Sequence, residues 1–196
     1  MIEKVLLPFN FDVAHLQAEA LAFAESEWIP HFNKGYYSGD WSAIPLRSVN
    51  GDPTRIFPDP AGLLPLADTI HLQRCPYIKT VIDTFQCDKA DVRLLRLKAG
   101  SSIKEHKDFD LIFEDGEIRL HIPVATNDKM EFYLNKVRVV MEEGSCWYLN
   151  FSMPHSVHNG GDTDRIHLVI DCKMSTWMRD LFESATSVDS DKALTV

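Results

Sequence analysis

The spacing of apolar residues changes along the chain. From Asp12 to about Ser26 they recur at helical intervals (Val13, Leu16, Ala20, Leu21, Phe23) behind an aspartate placed to cap the first turn, which predicts an amphipathic helix. The same period predicts helices over Ala61 to Leu72 and over Ile78 to Gln86, the second with Ile78, Val81, Ile82 and Phe85 on one side. Between Asn33 and Pro60 the residues are largely Gly, Asn, Asp, Ser and Pro, so this stretch reads as loops around a short strand at Ala43 to Arg47. Beyond residue 90 the rhythm shortens to β-type runs: Val92 to Lys98, Ile118 to Val124, Met130 to Leu134, Val137 to Met141, Cys146 to Phe151 and Arg165 to Cys172. Turn residues such as Glu-Glu-Gly and Asn-Gly-Gly-Asp separate them, and a helix over Ser175 to Phe182 follows. Short strands at this spacing, with few helices among them, predict a mainly β sandwich or jelly roll, cupin-like, and not a βαβ sheet. No internal repeat or linker breaks the pattern. One domain over 1–196 is expected: a helical and loop bracing segment (1–90), a β core (91–184) and a tail (185–196).

Two strands alternate in an informative way. In Ile118-Arg119-Leu120-His121-Ile122 the apolar residues share one face and Arg119 and His121 the other, and Arg165 and His167 likewise share a face in the last long strand. Such a pattern fits an antiparallel sheet whose polar side meets water. A sharper reading is a barrel whose polar side points inward, where buried Arg and His need charged or metal partners.

Charge narrows the field of partners. Lys and Arg number 20 against 29 Asp and Glu, a net charge of -9, which disfavours binding to nucleic acid or an anionic membrane surface. No apolar run approaches the roughly 20 residues of a bilayer span, and no secretory signal is apparent. Cys75, Cys87, Cys146 and Cys172 are widely spaced with no Cys-x-x-Cys pair, so a reducing compartment, by default the cytoplasm, is expected.

The chemistry-bearing residues begin with Glu105-His106-Lys107-Asp108. His106 and Asp108 lie two apart, so on an extended chain both side chains fall on one face and reach one cation. A His-x-Asp pair alone is commonly solvated surface. His155, just past an apolar strand, is the third candidate. Two histidines and a carboxylate on one face of an octahedral ion are the ligand set of non-haem Fe(II) oxygenases, although zinc enzymes use similar sets. Arg165 lies ten residues beyond His155, and its planar guanidinium suits bidentate capture of a carboxylate.

Taken together, these pieces resemble a known family. Arg96-Leu97-Lys98-Ala99-Gly100, His106-Lys107-Asp108, Ile118-Arg119-Leu120-His121-Ile122-Pro123, Gly144-Ser145-Cys146-Trp147-Tyr148, Pro154-His155-Ser156-Val157 and Asp164-Arg165-Ile166-His167-Leu168-Val169-Ile170-Asp171 stand in the order and spacing of the aspartyl/asparaginyl β-hydroxylases. The bacterial proline hydroxylase branch is the most similar, with a weaker echo at Phe11-Asp12 and from Gly39-Asp40-Trp41 to Leu46-Arg47. The resemblance implies a double-stranded β-helix and an Fe(II)- and 2-oxoglutarate-dependent dioxygenase. Such an enzyme hydroxylates an aliphatic C–H bond of a free or peptidyl amino acid and releases succinate and carbon dioxide. It further implies that His106, Asp108 and His155 bind the iron, that Arg165 holds the distal carboxylate of 2-oxoglutarate, and that Arg119 and His121 bind carboxylates of co-substrate or substrate. Trp41 and Arg47 are candidate substrate contacts, and His15, His31 and His71 read as surface residues. Two other readings stand beside this one: a cupin-like metal- or small-molecule-binding protein without oxygenase turnover, and a zinc hydrolase. Against the hydrolase, the chain has no His-Glu-x-x-His.

Overall fold

The computed structural model describes residues 2–57, 59, 62–108, 113 and 116–193, with side chains to residue 185. Two antiparallel sheets face each other. The larger, eight-stranded sheet contains β1 (Lys4–Asn10), β2 (Ile29–Pro30), β4 (Trp41–Val49), β5 (Leu66–Asp68), β6 (Lys89–Leu97), β8 (Glu117–Ala125), β11 (Ser145–Leu149) and β13 (Arg165–Lys173). They run in the order β1-β11-β8-β13-β6-β4-β2, with β5 on β4. The smaller sheet is β10 (Val137–Arg138), β9 (Met130–Leu134), β12 (His155–Asn159), β7 (Ser102–His106) and β3 (Tyr37–Ser38), in that order. This is the expected jelly roll. Helices α1 (Val13–Ala20), α2 (Pro76–Thr84) and α3 (Thr176–Ala193) complete it.

The two-residue period of β8 and β13 decides which way each side chain points. Ile118, Leu120, Ile122, Ile166, Leu168 and Ile170 face outward and join one buried cluster with Leu16 of α1, Ile78 and Val81 of α2 and Met178 and Phe182 of α3. At about 25 cal/mol per Å² of apolar surface removed from water, this layer is the main source of stability. Inside the roll, Leu97, Ile103, Phe132, Leu134, Leu149, Phe151 and Val157 form a smaller apolar cluster between the sheets.

Several elements depart from the sequence pattern. Asp12 caps α1, accepting from His15 N at 3.1 Å, but the helix ends at Ala20 and not near Ser26. Glu25 and Glu27 instead sit in a 3-10 turn where they pair with Arg96 and Arg74, interactions that a continued helix would not reach. The helix expected from Ala61 to Leu72 is absent over its described part, which holds β5 and the start of a 3-10 turn at Leu72–Arg74. Its apolar residues Leu63 and Leu64 stay exposed, so there was no face to bury, while Asn50 N donating to the Pro65 carbonyl and Arg47 pairing with Asp68 align β5 on β4. The run expected from Val137 to Met141 is a strand only at Val137–Arg138. The first 90 residues do not merely brace the core: β1, β2, β4 and β5 are strands of the large sheet and β3 of the small one.

Candidate metal centre and the buried arginine

The ends of β7 and β12 meet where His155 pairs with His106. The ring centroids lie 4.2 Å apart, and one ligand atom from each of His106, Asp108 and His155 falls within 4.8 Å of the others. Backbone carbonyls fix both tautomers. His106 Nδ1 lies 2.8 Å from the Lys104 carbonyl and His155 Nδ1 3.1 Å from that of Met153. A carbonyl only accepts, so both Nδ1 atoms carry the proton and both Nε2 atoms present lone pairs to one point. Asp108 is aimed at that point too: its backbone N donates to the Phe151 carbonyl, Arg119 Nη1 holds Oδ2 at 2.7 Å, and Oδ1 lies 3.6 Å from His106 Nε2. Burial pushes the His155 pKa down to about 4, which keeps its lone pair free of a proton at neutral pH. Two neutral imidazoles and a carboxylate with a bound second layer are a divalent-metal donor set.

Arg119 is expected at a carboxylate, and the structure places it against two of the protein's own. Besides Asp108 it donates through Nε and Nη2 to both oxygens of Asp171, at 2.6 and 2.9 Å. Asp171 also accepts from Arg93 Nη2 at 2.9 Å. Burial works against charge on Asp171, but the two guanidinia outweigh it and hold its carboxyl below the usual range. The chain Arg93–Asp171–Arg119–Asp108 thus runs across the inner faces of β6, β13 and β8 to the metal centre.

Arg165 is different. It is 3% exposed and no carboxylate among the described residues lies within ion-pair distance; its contact is His167 Nδ1 at 2.8 Å. Burial alone pushes its pKa down to about 9, the mark of a desolvated cation without a counterion. Since arginine only donates, His167 Nδ1 is unprotonated, and the 3.2 Å approach of His121 Nδ1 to it requires the proton on His121. His121 Nε2 is left as a buried lone pair with no partner among the described residues. Phe151 separates this deep end from the metal end: its ring centroid is 4.7 Å from His155, 4.9 Å from His121 and 6.2 Å from Phe132. Beyond Phe132, a cavity of about 450 Å³ with Met130, Val139 and Met141 in its walls reaches Arg165 and His167.

Of the other expected contacts, Trp41 is near the centre and Arg47 is not. Trp41 stacks on His31 at 3.6 Å, and its indole Nε1 is buried without a partner among the described residues. Arg47 donates to Asp68, to the Leu66 carbonyl and to the Lys89 carbonyl, which ties β5 and β6 to β4. His31, expected on the surface, is half-buried between Trp41 and Phe32, and its pKa falls to about 4 through burial and the nearby Arg93 and Arg119. Asp171, Arg93 and Asp91 escaped the sequence reading. Their signal is the spacing Asp91-x-Arg93 in β6 and Arg165-x-His167-x-Val169-x-Asp171 in β13, a charged face inside a strand that is apolar on its other side.

Comparison with known proteins gives the family and the fold. The sequence profile described as aspartyl/asparaginyl beta-hydroxylase matches residues 10–174. The L-proline cis-4-hydroxylase of Rhizobium meliloti (strain 1021) is 28% identical over 199 residues, covering 95% of this chain and 69% of that protein. Among solved structures, an oxidoreductase of the 2OG-Fe(II) oxygenase family from Burkholderia pseudomallei superposes with a TM-score of 0.52 at 14% identity, over 82% of this chain and 78% of its own, a likeness of fold. With a family match over residues 10–174, most of the chain, the protein belongs to the aspartyl/asparaginyl β-hydroxylases.

Proposed function

We propose that this hydroxylase is an Fe(II)- and 2-oxoglutarate-dependent dioxygenase acting on an aliphatic C–H bond of an amino acid. The observation that carries the reading is the pairing of two features: three convergent donors, His106, Asp108 and His155, and one buried guanidinium, Arg165, that lacks an anion. When bound, the ferrous ion with 2-oxoglutarate and dioxygen supplies the oxidising power: the keto acid becomes succinate and carbon dioxide, and one oxygen atom enters the substrate C–H bond.

The residues of the chain do the positioning. His106 and His155 present Nε2 lone pairs fixed by their carbonyl partners, and Arg119 turns Asp108 toward them. Arg165 takes the distal carboxylate of the keto acid, which gives the desolvated guanidinium its counterion. His121 and Phe151 line the passage between the two ends, and Phe151 keeps water from the aliphatic part of the co-substrate.

The test is anaerobic titration of the protein with Fe(II), followed by a mass-spectrometric screen of amino acids and short peptides for a gain of one oxygen coupled to succinate. Arg165→Ala is expected to bind metal normally and to lose 2-oxoglutarate affinity by about 3 to 5 kcal/mol, the cost of breaking a buried charge pair from one side. Unchanged 2-oxoglutarate affinity in that variant would remove Arg165 from the site. Metal binding without any 2-oxoglutarate consumption would leave a cupin-like binding protein.

A further inference from the structure

Two of the four cysteines meet on the outer side of the large sheet, away from the metal centre and from Arg165. Cys172 lies near the end of β13, fully buried in the outward apolar cluster, and Cys87 is half-buried in the turn that leads from α2 into β6. Main-chain contacts hold that turn against the end of β13. Cys172 pairs with Lys89 in the ladder, Lys173 N donates to the Asp88 carbonyl at 2.8 Å, and Ser175 Oγ donates to the Gln86 carbonyl at 2.7 Å. Cys87, between Gln86 and Asp88, is thereby set beside Cys172, and the two thiols hydrogen-bond one another.

The members of the pair differ in access and in chemistry. A surface cavity of about 500 Å³ has Cys87 in its wall, together with Asp88, Lys89, Lys173 and Met174, so a small reagent reaches that sulfur from solvent. Cys172 is 1% exposed. The hydrogen bond from Cys172 pulls the Cys87 thiol below its ordinary pKa against the effect of burial, and the Lys89 charge helps. The same bond and burial keep the Cys172 thiol protonated. Cys75 and Cys146 are fully buried, and burial pushes both thiols up, Cys75 to about 12. A reachable thiol with thiolate character beside a sealed second thiol is the arrangement in which a first oxidation is captured as a disulfide.

We propose that Cys87 and Cys172 are a reversible oxidation site that closes to a disulfide when the protein meets a hydroperoxide, with Cys87 the attacking thiol and Cys172 the resolving one. The Cys87 thiolate attacks one peroxide oxygen: an S–O bond forms, the O–O bond breaks, and the departing hydroxide takes up the proton that Cys87 gave to solvent, leaving as water. Cys172 sulfur then attacks the sulfenic sulfur of Cys87; the S–S bond forms, the S–O bond breaks, and the hydroxyl leaves as a second water with the Cys172 proton. Two thiols are oxidised and one peroxide is reduced. The sulfurs must close to about 2 Å, and the ladder is irregular at this point, with a bulge between Ile170 and Cys172 and a turn at Cys87, so the backbone has room to shift. The bond would pin the strand end that carries Asp171. This inference stands apart from the oxygenase reading, since neither thiol belongs to the metal centre or to the Arg165 pocket.

The experiment treats the full, folded chain with hydrogen peroxide after removal of reductant, with chelator present to exclude metal-catalysed oxidation, and maps its peptides by mass spectrometry without reduction. Two of the four thiols should disappear. The peptides carrying Cys87 and Cys172 should appear joined, two hydrogens lighter than their sum, and dithiothreitol should restore both. Before oxidation, iodoacetamide should label Cys87 at least about tenfold faster than any other cysteine of the native protein. Cys172→Ala should stop at a Cys87 sulfenic acid that dimedone traps, and Cys87→Ser should keep all its remaining thiols under the same treatment. The wild-type map alone decides the pairing, so a variant that fails to fold leaves the proposal falsifiable. A disulfide that joins other cysteines or two chains, Cys87 oxidised while Cys172 stays free in the wild type, or four thiols surviving excess peroxide would overturn it.

Discussion

β8 and β13 lie side by side, and their two faces share nothing but a backbone. Outward, Leu120, Ile122, Leu168 and Ile170 are fully buried against the helices. Inward, Arg119, His121, Arg165, His167 and Asp171 hold charge and lone pairs in a nearly dry space. Adjacent residues therefore do opposite jobs: one face lowers the free energy of the fold, and the other spends part of it on desolvated charged and polar groups. If the division is real, substitutions on one face should move stability and leave binding intact, and substitutions on the other should do the reverse.

The largest effect tests the inward face. His155→Ala is expected to abolish turnover, by at least about a thousandfold, and to remove Fe(II) binding seen by calorimetry. The metal-free variant should unfold within about 1 kcal/mol of the metal-free parent in urea, because it removes a neutral ring from the site's edge and not from the packed layer. The outward counterpart is Leu168→Ala, expected to lose about 2 to 5 kcal/mol of stability from the cavity it leaves, with Fe(II) affinity unchanged at low temperature. A weakened metal site in that variant would show that the two faces are coupled through the sheet.

Asp171→Ala should break the division on purpose. It faces inward, but it is the shared counterion of Arg93 and Arg119, and removing it leaves Arg93 without its ion pair and Arg119 with Asp108 alone. We expect a stability loss of about 3 to 5 kcal/mol together with weaker metal binding, since Arg119 then no longer holds Asp108 in place. Stability and metal affinity measured on one sample decide it. A drop in only one of them would mean that the ion-pair chain is not continuous.

These outcomes also explain what could be read from the residues alone. The division of β8 and β13 into an apolar and a polar face was legible because a two-residue alternation survives any tertiary detail, but that the polar face points inward was not, since an open sheet with a solvated side shows the same alternation. The candidate ligands His106, Asp108 and His155 could be named from spacing and family resemblance, and one donor atom of each now falls within 4.8 Å of the others. The strands β7 and β12 that bring them together were not legible, since SIKEH and HSVHN carry few apolar residues and owe their pairing to neighbouring strands. Leu63 and Leu64 imitated a helix because spacing says nothing about whether a surface exists to receive it. Arg47 and Arg119 looked like ligand contacts because a sequence shows a cation and not its counterion; Asp68 and Asp171 lie 21 and 52 residues away.

The smallest expected effect concerns protons on the inward face. His121 and His167 are pushed well below the usual histidine pKa, first by burial and then by the Arg165 charge, and His31 is pushed to about 4. In the unfolded chain these rings take protons near pH 6.5, whereas in the fold they resist them. Between about pH 6.5 and 4 the unfolded state therefore binds more protons, so the stability they contribute is complete above that window and drains away as pH falls through it. His155 shifts the same way, so the measurement is made with chelator present throughout. Urea midpoints should fall from pH 7.5 to pH 5, by at least about 1 kcal/mol in free energy. His31→Phe, which keeps a ring stacked on Trp41, should flatten the slope without erasing it. On the outward face Leu168→Ala should shift the whole curve down in parallel, because no titrating group there changes its surroundings. A slope unaltered by His31→Phe, or one altered by Leu168→Ala, would show that charge and packing are not separated by the sheet.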